Sequence, residues 1–200
     1  MFDWMLPKKH AIAILKKDHD IVKALFDDFE KAKSKATRER IIGQSVKALK
    51  IHAILEEEIF YPTVRAHVGS KIMNEADEEH HVARVLIAEL DRRANNDHRY
   101  AKFTVLAESV RHHIGEEERD MLPKAKEVNI DFEALGQLML ERKKELLKEG
   151  IPSDDEHKMV AKAHGRGDTP AKTAARRKSA RPRKATLLSR AKKAASRVSH

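Results

Sequence analysis

The chain has 200 residues, 41 lysines and arginines against 32 aspartates and glutamates, and no cysteine. The missing cysteines exclude disulfides, thiolate metal sites and thiol nucleophiles, so any metal or catalytic chemistry must come from histidine and carboxylate. The net charge of +9 is unevenly placed: fourteen bases and one acid, Asp168, fall in residues 157–200, leaving the first 156 residues with 27 bases and 31 acids.

Nothing in the first 150 residues alternates like a strand, and Gly and Pro are scarce there. Segment A, about Lys8 to Lys33, places Ile12, Leu15, His19, Val22, Phe26 and Phe29 on one helical face. Pro7 sits where a first-turn proline is tolerated. Segment B is expected to begin after Thr37 as N-cap and carries Val46, Leu49, His52, Glu56, Ile59 and Phe60 before Pro62. An interior proline costs about 3 kcal/mol, so a kink or stop is expected at Pro62. Segment C runs from near Ser70, with Met73, His80, Ile87 and Leu90, to a turn-like stretch at 94–97. Segment D, about Tyr100 to Glu127, carries Leu106, Val110, His113, Glu117 and Met121, then Pro123 as a second kink. A short fifth helix, Phe132 to Lys148, is capped by Asn129 or Asp131 and closed by Gly150 and Pro152, and is expected to cross one end of the bundle. From Ser153 the chain is polar, and from Ala161 it is rich in Ala, Lys, Arg, Ser and Thr, a composition expected to stay disordered.

Segments A–B and C–D are copies offset by 61 residues. His19 falls on His80, His52 on His113, Glu56 on Glu117 and Pro62 on Pro123. Each half therefore reads His, then His-x-x-x-Glu, then Pro. A duplicated two-helix unit predicts an all-α, antiparallel four-helix bundle, with a domain over 1–150 and a basic appendage over 151–200. Residues four apart share a helix face, so each His-x-x-x-Glu aims both side chains into the bundle. Four His and two Glu converging there predict a two-metal site at His19, His52, Glu56, His80, His113 and Glu117. Bridging glutamates and terminal imidazoles would leave open positions for O2, NO, peroxide or water.

Two rivals are weaker. His112/Glu116 is also a His-x-x-x-Glu pair, but its register partners are the apolar Ile51 and Leu55. His81 competes with His80, which the repeat favours. The ferritin-like pattern needs two Glu-x-x-His motifs, and only Glu78/His81 provides one, its register partners being Lys17 and Asp20. Other His, including His10, His67, His98, His157, His164 and His200, are expected at the surface, as are Glu57, Glu58, Glu78 and Glu118. Phe26, Ile59, Ile87 and Met121 are core positions two turns from the site and are expected to line a dry ligand pocket.

The strings LKKDHDIVKALF, KIHAILEEEIFYP, DEEHHVARVLIAEL and RHHIGEEERDMLPKA resemble the bacterial hemerythrin-like, or HHE cation-binding, domain. The resemblance covers about Ile12 to Glu127. It implies a four-helix bundle with two non-haem iron ions, their ligands falling on the same six residues. Glu57, the acid after the first His-x-x-x-Glu, ligates in some relatives and is a reserve candidate. Animal hemerythrins carry O2 with a further His in place of carboxylate. This chain has the more carboxylate-rich bacterial pattern, so O2 transport does not carry over.

The functions expected are therefore a di-iron protein that binds or senses O2, NO or iron, or a di-iron enzyme acting on peroxide, NO or ferrous iron. A third reading gives the work to the basic residues 157–200, which suit sequence-independent contact with nucleic acid. No segment approaches the roughly 18–20 apolar residues of a membrane span, and Met1–Lys9 lacks an apolar run long enough for a signal peptide. A cytoplasmic protein without membrane contact is expected.

Overall fold

A computed structural model describes residues 6–91 and 98–163, with side chains through residue 160. All regular structure among these residues is helical. Helix α1 spans Ala11–Lys31, and α2 spans Lys35–Leu55. A wider π turn, π1, covers Glu56–Phe60 and leads into α3, Tyr61–Val68. After Gly69 comes α4, Ser70–Asp91. The second copy follows as α5, His98–Glu116, π2, Glu117–Met121, and α6, Leu122–Lys126. Helices α7, Phe132–Glu149, and α8, Asp155–Ala163, complete the chain described. No helix among these residues is long and apolar enough to cross a membrane.

The bundle is a closed ring: α1 packs on α2 and α5, and α4 packs on α5 and α2. The faces read from the sequence are the ones buried. Ile12, Leu15, His19, Val22, Phe26 and Phe29 of α1 all lie inside. The apolar core forms two clusters. One holds Val22, Phe26, Leu49, Ile87, Phe103 and Val110. The other holds Leu15, Leu55, Phe60, Met73, Met121 and residues of α7. His19 lies between Leu15 and Val22, and His52 between Leu49 and Leu55, so a polar layer separates the clusters. Phe103 stacks edge-on against Phe26 and Phe29, at 5.7 and 4.5 Å between ring centres. Each such buried ring contributes on the order of 1.5–3 kcal/mol.

Several local readings are corrected. The N-cap of α2 is Ser34, whose hydroxyl accepts the Thr37 N–H at 3.1 Å; Thr37 lies inside the first turn. Pro7 stands outside α1, its carbonyl accepting the His10 N–H at 2.9 Å. Neither Pro62 nor Pro123 stops its helix. A proline lacks the N–H that the carbonyl four residues earlier requires. The π turn just before each proline takes up this mismatch, with Tyr61 N–H reaching Glu56 O and Leu122 N–H reaching Glu117 O.

The fifth helix is capped by Asp131, which accepts the Ala134 N–H at 2.9 Å, and ends before Gly150. It lies against α1, α2 and π1. The approach is close: a Cβ on Gly136 would stand 1.8 Å from the Lys9 carbonyl oxygen and 2.9 Å from Ala11 N. Gly69, with φ of 106°, makes the sharp join between α3 and α4.

Order continues past Ser153. Helix α8 packs on α4, so the polar stretch is structured through Ala163. Glu156 is buried against His81 Nδ1 at 2.9 Å and Arg84 Nε at 3.0 Å. His157 Nε2 meets Asp91 at 2.9 Å. The expectation of disorder beyond this point, and His164 and His200, lie outside the described residues.

Candidate metal centre

The polar layer contains all six residues singled out by the repeat. His19 comes from α1, His52 from α2, His80 from α4 and His113 from α5; the first residue of each π turn supplies Glu56 and Glu117. His19, His52, Glu56 and Glu117 bring one ligand atom each within 4.8 Å of the others, as do Glu56, His80 and His113. Glu56 belongs to both groups. Its Oε1 is 3.1 Å from His52 Nε2 and its Oε2 is 3.3 Å from His80 Nε2. Glu117 Oε2 is 3.2 Å from His19 Nε2 and 3.6 Å from His113 Nε2. Each glutamate thus faces a histidine of both halves, the placement a bridging carboxylate needs.

The far side of every imidazole faces a second carboxylate. His19 Nδ1 meets Glu118 at 2.9 Å, His80 Nδ1 meets Glu57 at 2.9 Å, and His113 Nδ1 meets Glu79 at 2.7 Å. His52 Nδ1 is 3.9 Å from Asp18, a looser approach. An acceptor at Nδ1 fixes the tautomer that presents Nε2 as a lone pair and raises its basicity. These carboxylates are held in turn by cations: Lys143 on Asp18 at 2.5 Å, Lys23 on Glu118 at 3.4 Å, and Arg84 on Glu57.

The inward atoms fit cations. His19 Nε2, His52 Nε2, both oxygens of Glu56 and Glu117 Oε2 are buried and make no hydrogen bond of good geometry, although imidazole and carboxylate stand 3.1–3.3 Å apart. Buried polar atoms left so cost free energy, and that many in one space fit a charged species between them. Mixed imidazole and carboxylate donors suit iron, and also zinc, copper or nickel. In the free protein the same groups are strongly polarised. Burial works to lower His52 and His80, but the carboxylates beside them prevail and push the two up to about 10 and about 9. Burial works to raise Glu56, yet His52 and His80 hold it well below its ordinary value. Cation binding must therefore release protons.

The Hemerythrin HHE cation binding domain profile matches residues 10–125. The chain belongs to this family. In overall structure the HHE domain is similar to the crystal structure of an HHE cation-binding domain protein from Mycobacterium kansasii, a homologue of Rv2633c. The two share 22% identity at a TM-score of 0.59, over 90% of this chain and 98% of that one, which shows a common fold. A search of curated proteins gave no match.

Within this HHE domain the rival residues are set apart. His112 lies on the outer face of α5, 66% exposed, and His81 turns to Glu156 of α8. Glu78 is exposed. Glu57 is exposed as expected, yet its carboxylate also holds His80, and Glu118, expected on a solvated face, is half-buried and holds His19. Glu57 lies on the outer nitrogen of His80 and outside the converging groups, a place for orienting an imidazole. Glu58 pairs with Arg142 of α7 at 2.9 Å. His10 stacks on Phe132 at 5.0 Å, and His157, on α8, is held against Asp91 of α4, so neither is a free surface residue.

Two site features escaped the sequence reading. Tyr61 is 1% exposed and donates its hydroxyl to Glu117 Oε1 at 2.8 Å, with His80 Nε2 at 3.2 Å. Burial, and then the charges of Glu117 and Glu56, raise the phenol well above its ordinary value, so it keeps its proton. The second is the orienting quartet, which obeys the same offset of 61: Asp18 matches Glu79, and Glu57 matches Glu118. That register was the signal that could have found it.

A cavity of about 510 Å³ reaches all four site histidines. Ile87 lines it as expected, but its other apolar walls are Val22, Leu49, Ala83, Val110 and Ile114. Phe26, Ile59 and Met121 do not line it; they pack in the two core clusters. The segment 151–156, leading into α8, closes one side.

Proposed function

We propose that this HHE domain holds two non-haem iron ions on His19, His52, Glu56, His80, His113 and Glu117, and uses them to bind or sense O2, NO or iron itself. The observation that carries this reading is the set of buried, unpartnered Nε2 and carboxylate oxygens, backed by an acid behind each imidazole. Iron in that set would supply open coordination positions for a small ligand. The protein's own residues do the rest. Asp18, Glu57, Glu79 and Glu118 orient the imidazoles, and Tyr61 holds a proton at its hydroxyl toward Glu117.

The test is metal analysis of protein made with ample iron and no His tag, with optical spectra of the reduced and air-exposed forms. About two irons per chain are expected, both lost in His113→Ala or Glu117→Ala, because each glutamate faces histidines of both halves. His112→Ala is expected to keep both at equilibrium. No bound iron in the wild-type protein, or full occupancy in the His113→Ala form, would overturn the reading.

A second reading is turnover of peroxide, NO or ferrous iron at the same centre, to which the cavity of about 510 Å³ reaching all four site histidines would give access. Consumption of peroxide or NO by the iron-loaded protein, against protein without iron, separates the two.

A further inference from the structure

A second, smaller cavity of about 260 Å³ leads from the surface between α4 and the α5–π2 junction to the same polar layer. Glu75, Glu79, Glu116 and Asp120 outnumber Lys71 and Arg119 along its walls, and His113 and Glu117 form part of its lining. Glu117, 1% exposed, is part of this lining, and its Oε2, which faces the interior histidines, makes no hydrogen bond. Glu79 and Glu116 of this lining and the neighbouring surface residue His112 bring a ligand atom each within 4.8 Å of one another. His112 Nε2 is 3.7 Å from Glu79 Oε1 and 3.4 Å from Glu116 Oε1.

Two further observations tie this surface trio to the interior. Glu79 spans both: Oε1 faces His112 outside, while Oε2 accepts from His113 Nδ1 at 2.7 Å. The trio also breaks the internal repeat. The register partners of His112 and Glu116 are Ile51 and Leu55, so the bundle's architecture does not require a His-x-x-x-Glu pair on the outer face of α5.

We propose that Glu79, His112 and Glu116 form a transit site at which a divalent cation, ferrous iron in particular, is taken from water and passed to the interior centre. The proposal rests on the metal reading above. An acid-lined cleft concentrates cations at its mouth, and one imidazole with two carboxylates can replace part of an aquo ion's shell before it moves inward. Arg119 is held by Asp120 at 2.8 Å and stands farther, 3.8 Å, from Glu116 Oε1, while Lys71 pairs with Glu75 at 3.7 Å.

The experiment follows uptake of ferrous iron by the full-length, metal-free protein under anaerobic conditions. Stopped-flow mixing is quenched with a ferrous chelator, and final iron is measured by metal analysis. The double variant His112→Asn/Glu116→Gln leaves Glu79 in place to orient His113. It is expected to load about tenfold more slowly, the scale of electrostatic focusing, while reaching the wild-type iron content and melting temperature. Asp28→Asn, an exposed acid on α1 that lines neither cavity, should load at the wild-type rate. Wild-type loading speed in the double variant overturns the proposal, as does an equal slowing by Asp28→Asn. A lower final iron content in the double variant also overturns it, because the pair would then belong to the resting centre. If the wild-type protein takes up no iron, the metal reading itself fails; if it fills normally and the double variant fills as fast, only the transit site fails.

Discussion

His113 and His112 are neighbours in sequence with opposite surroundings. His113 is buried with Nδ1 on Glu79 and Nε2 facing Glu117, while His112 is mostly in water. The periodicity of α5 and the 61-residue register were enough to separate them, because a helix turns each successive residue by about 100°. The orienting acids were harder to read. Glu57 and Glu118 each follow a site glutamate directly, so helical phase alone points them to solvent; the tertiary approach of α4 and α1 brings an imidazole to meet them. Tyr61 was hidden for a similar reason. It sits beyond the widened π turn, which shifts helical phase by one residue. The orienting role predicts that Glu57→Gln and Glu118→Gln each weaken metal affinity roughly 10–100-fold while the helix content stays unchanged. Competition with a chelator of known affinity measures this; unchanged affinity would show that the acids only solvate the histidines.

At the scale of elements, α7 acts as a brace whose seating depends on one missing side chain. Gly136→Ala drives a methyl into the Lys9 carbonyl, which is backbone and cannot swing aside. Overpacking of this kind costs about 1–3 kcal/mol, to be seen as an earlier urea midpoint with an unchanged slope. Helix α8 is anchored differently, by charge. Hydrogen bonding to Asp91 raises His157 above its ordinary 6.5; burial opposes this, Asp154 adds to it and Lys50 repels. Because the docked value is the higher one, this anchor is complete below about pH 6.5 and is lost as pH rises through the docked pKa. Amide exchange in α8, corrected for its intrinsic pH dependence, should show protection falling on the alkaline side, and His157→Gln should flatten the trend. The sequence showed this stretch only as polar. Its order comes from Glu156 and His157 finding partners on α4, contacts that no local pattern announces.

For the whole molecule, the repeat made the bundle legible. Two copies of one amphipathic hairpin can bury their stripes only against each other, and the observed ring of α1, α2, α4 and α5 does so. The charge asymmetry was equally plain, since residues 157–200 carry +13 (14 − 1) and the first 156 residues −4 (27 − 31). Polyanion binding there should be indifferent to base sequence. If about five to eight of these cations meet phosphates at once, log affinity should fall with log salt at a slope of roughly −4 to −7 on duplex DNA. The correct truncation point follows from α8: cutting after Ala163 leaves the Glu156 and His157 anchors in place and removes twelve of the fourteen bases. That shortened chain should lose DNA binding in a gel-shift titration yet match the metal content and helicity of the full-length chain. A full-length chain that fails to shift DNA at low salt would end the polyanion reading.

Besides the looser approach of Asp18 to His52, the near-symmetry of the centre is broken at Tyr61. Tyr61 corresponds by the repeat to Leu122, which has no hydroxyl. One half of the polar layer therefore has a phenol against His80 and Glu117, and its mirror position has only a hydrocarbon. Two irons bound there would sit in unequal ligand fields despite matching donor sets. The Mössbauer spectrum of the oxidised protein should then resolve two quadrupole doublets of equal area, and Tyr61→Leu, which restores the symmetry of the repeat, should draw them together. A single doublet in the wild-type protein would mean that the phenol leaves the irons electronically alike.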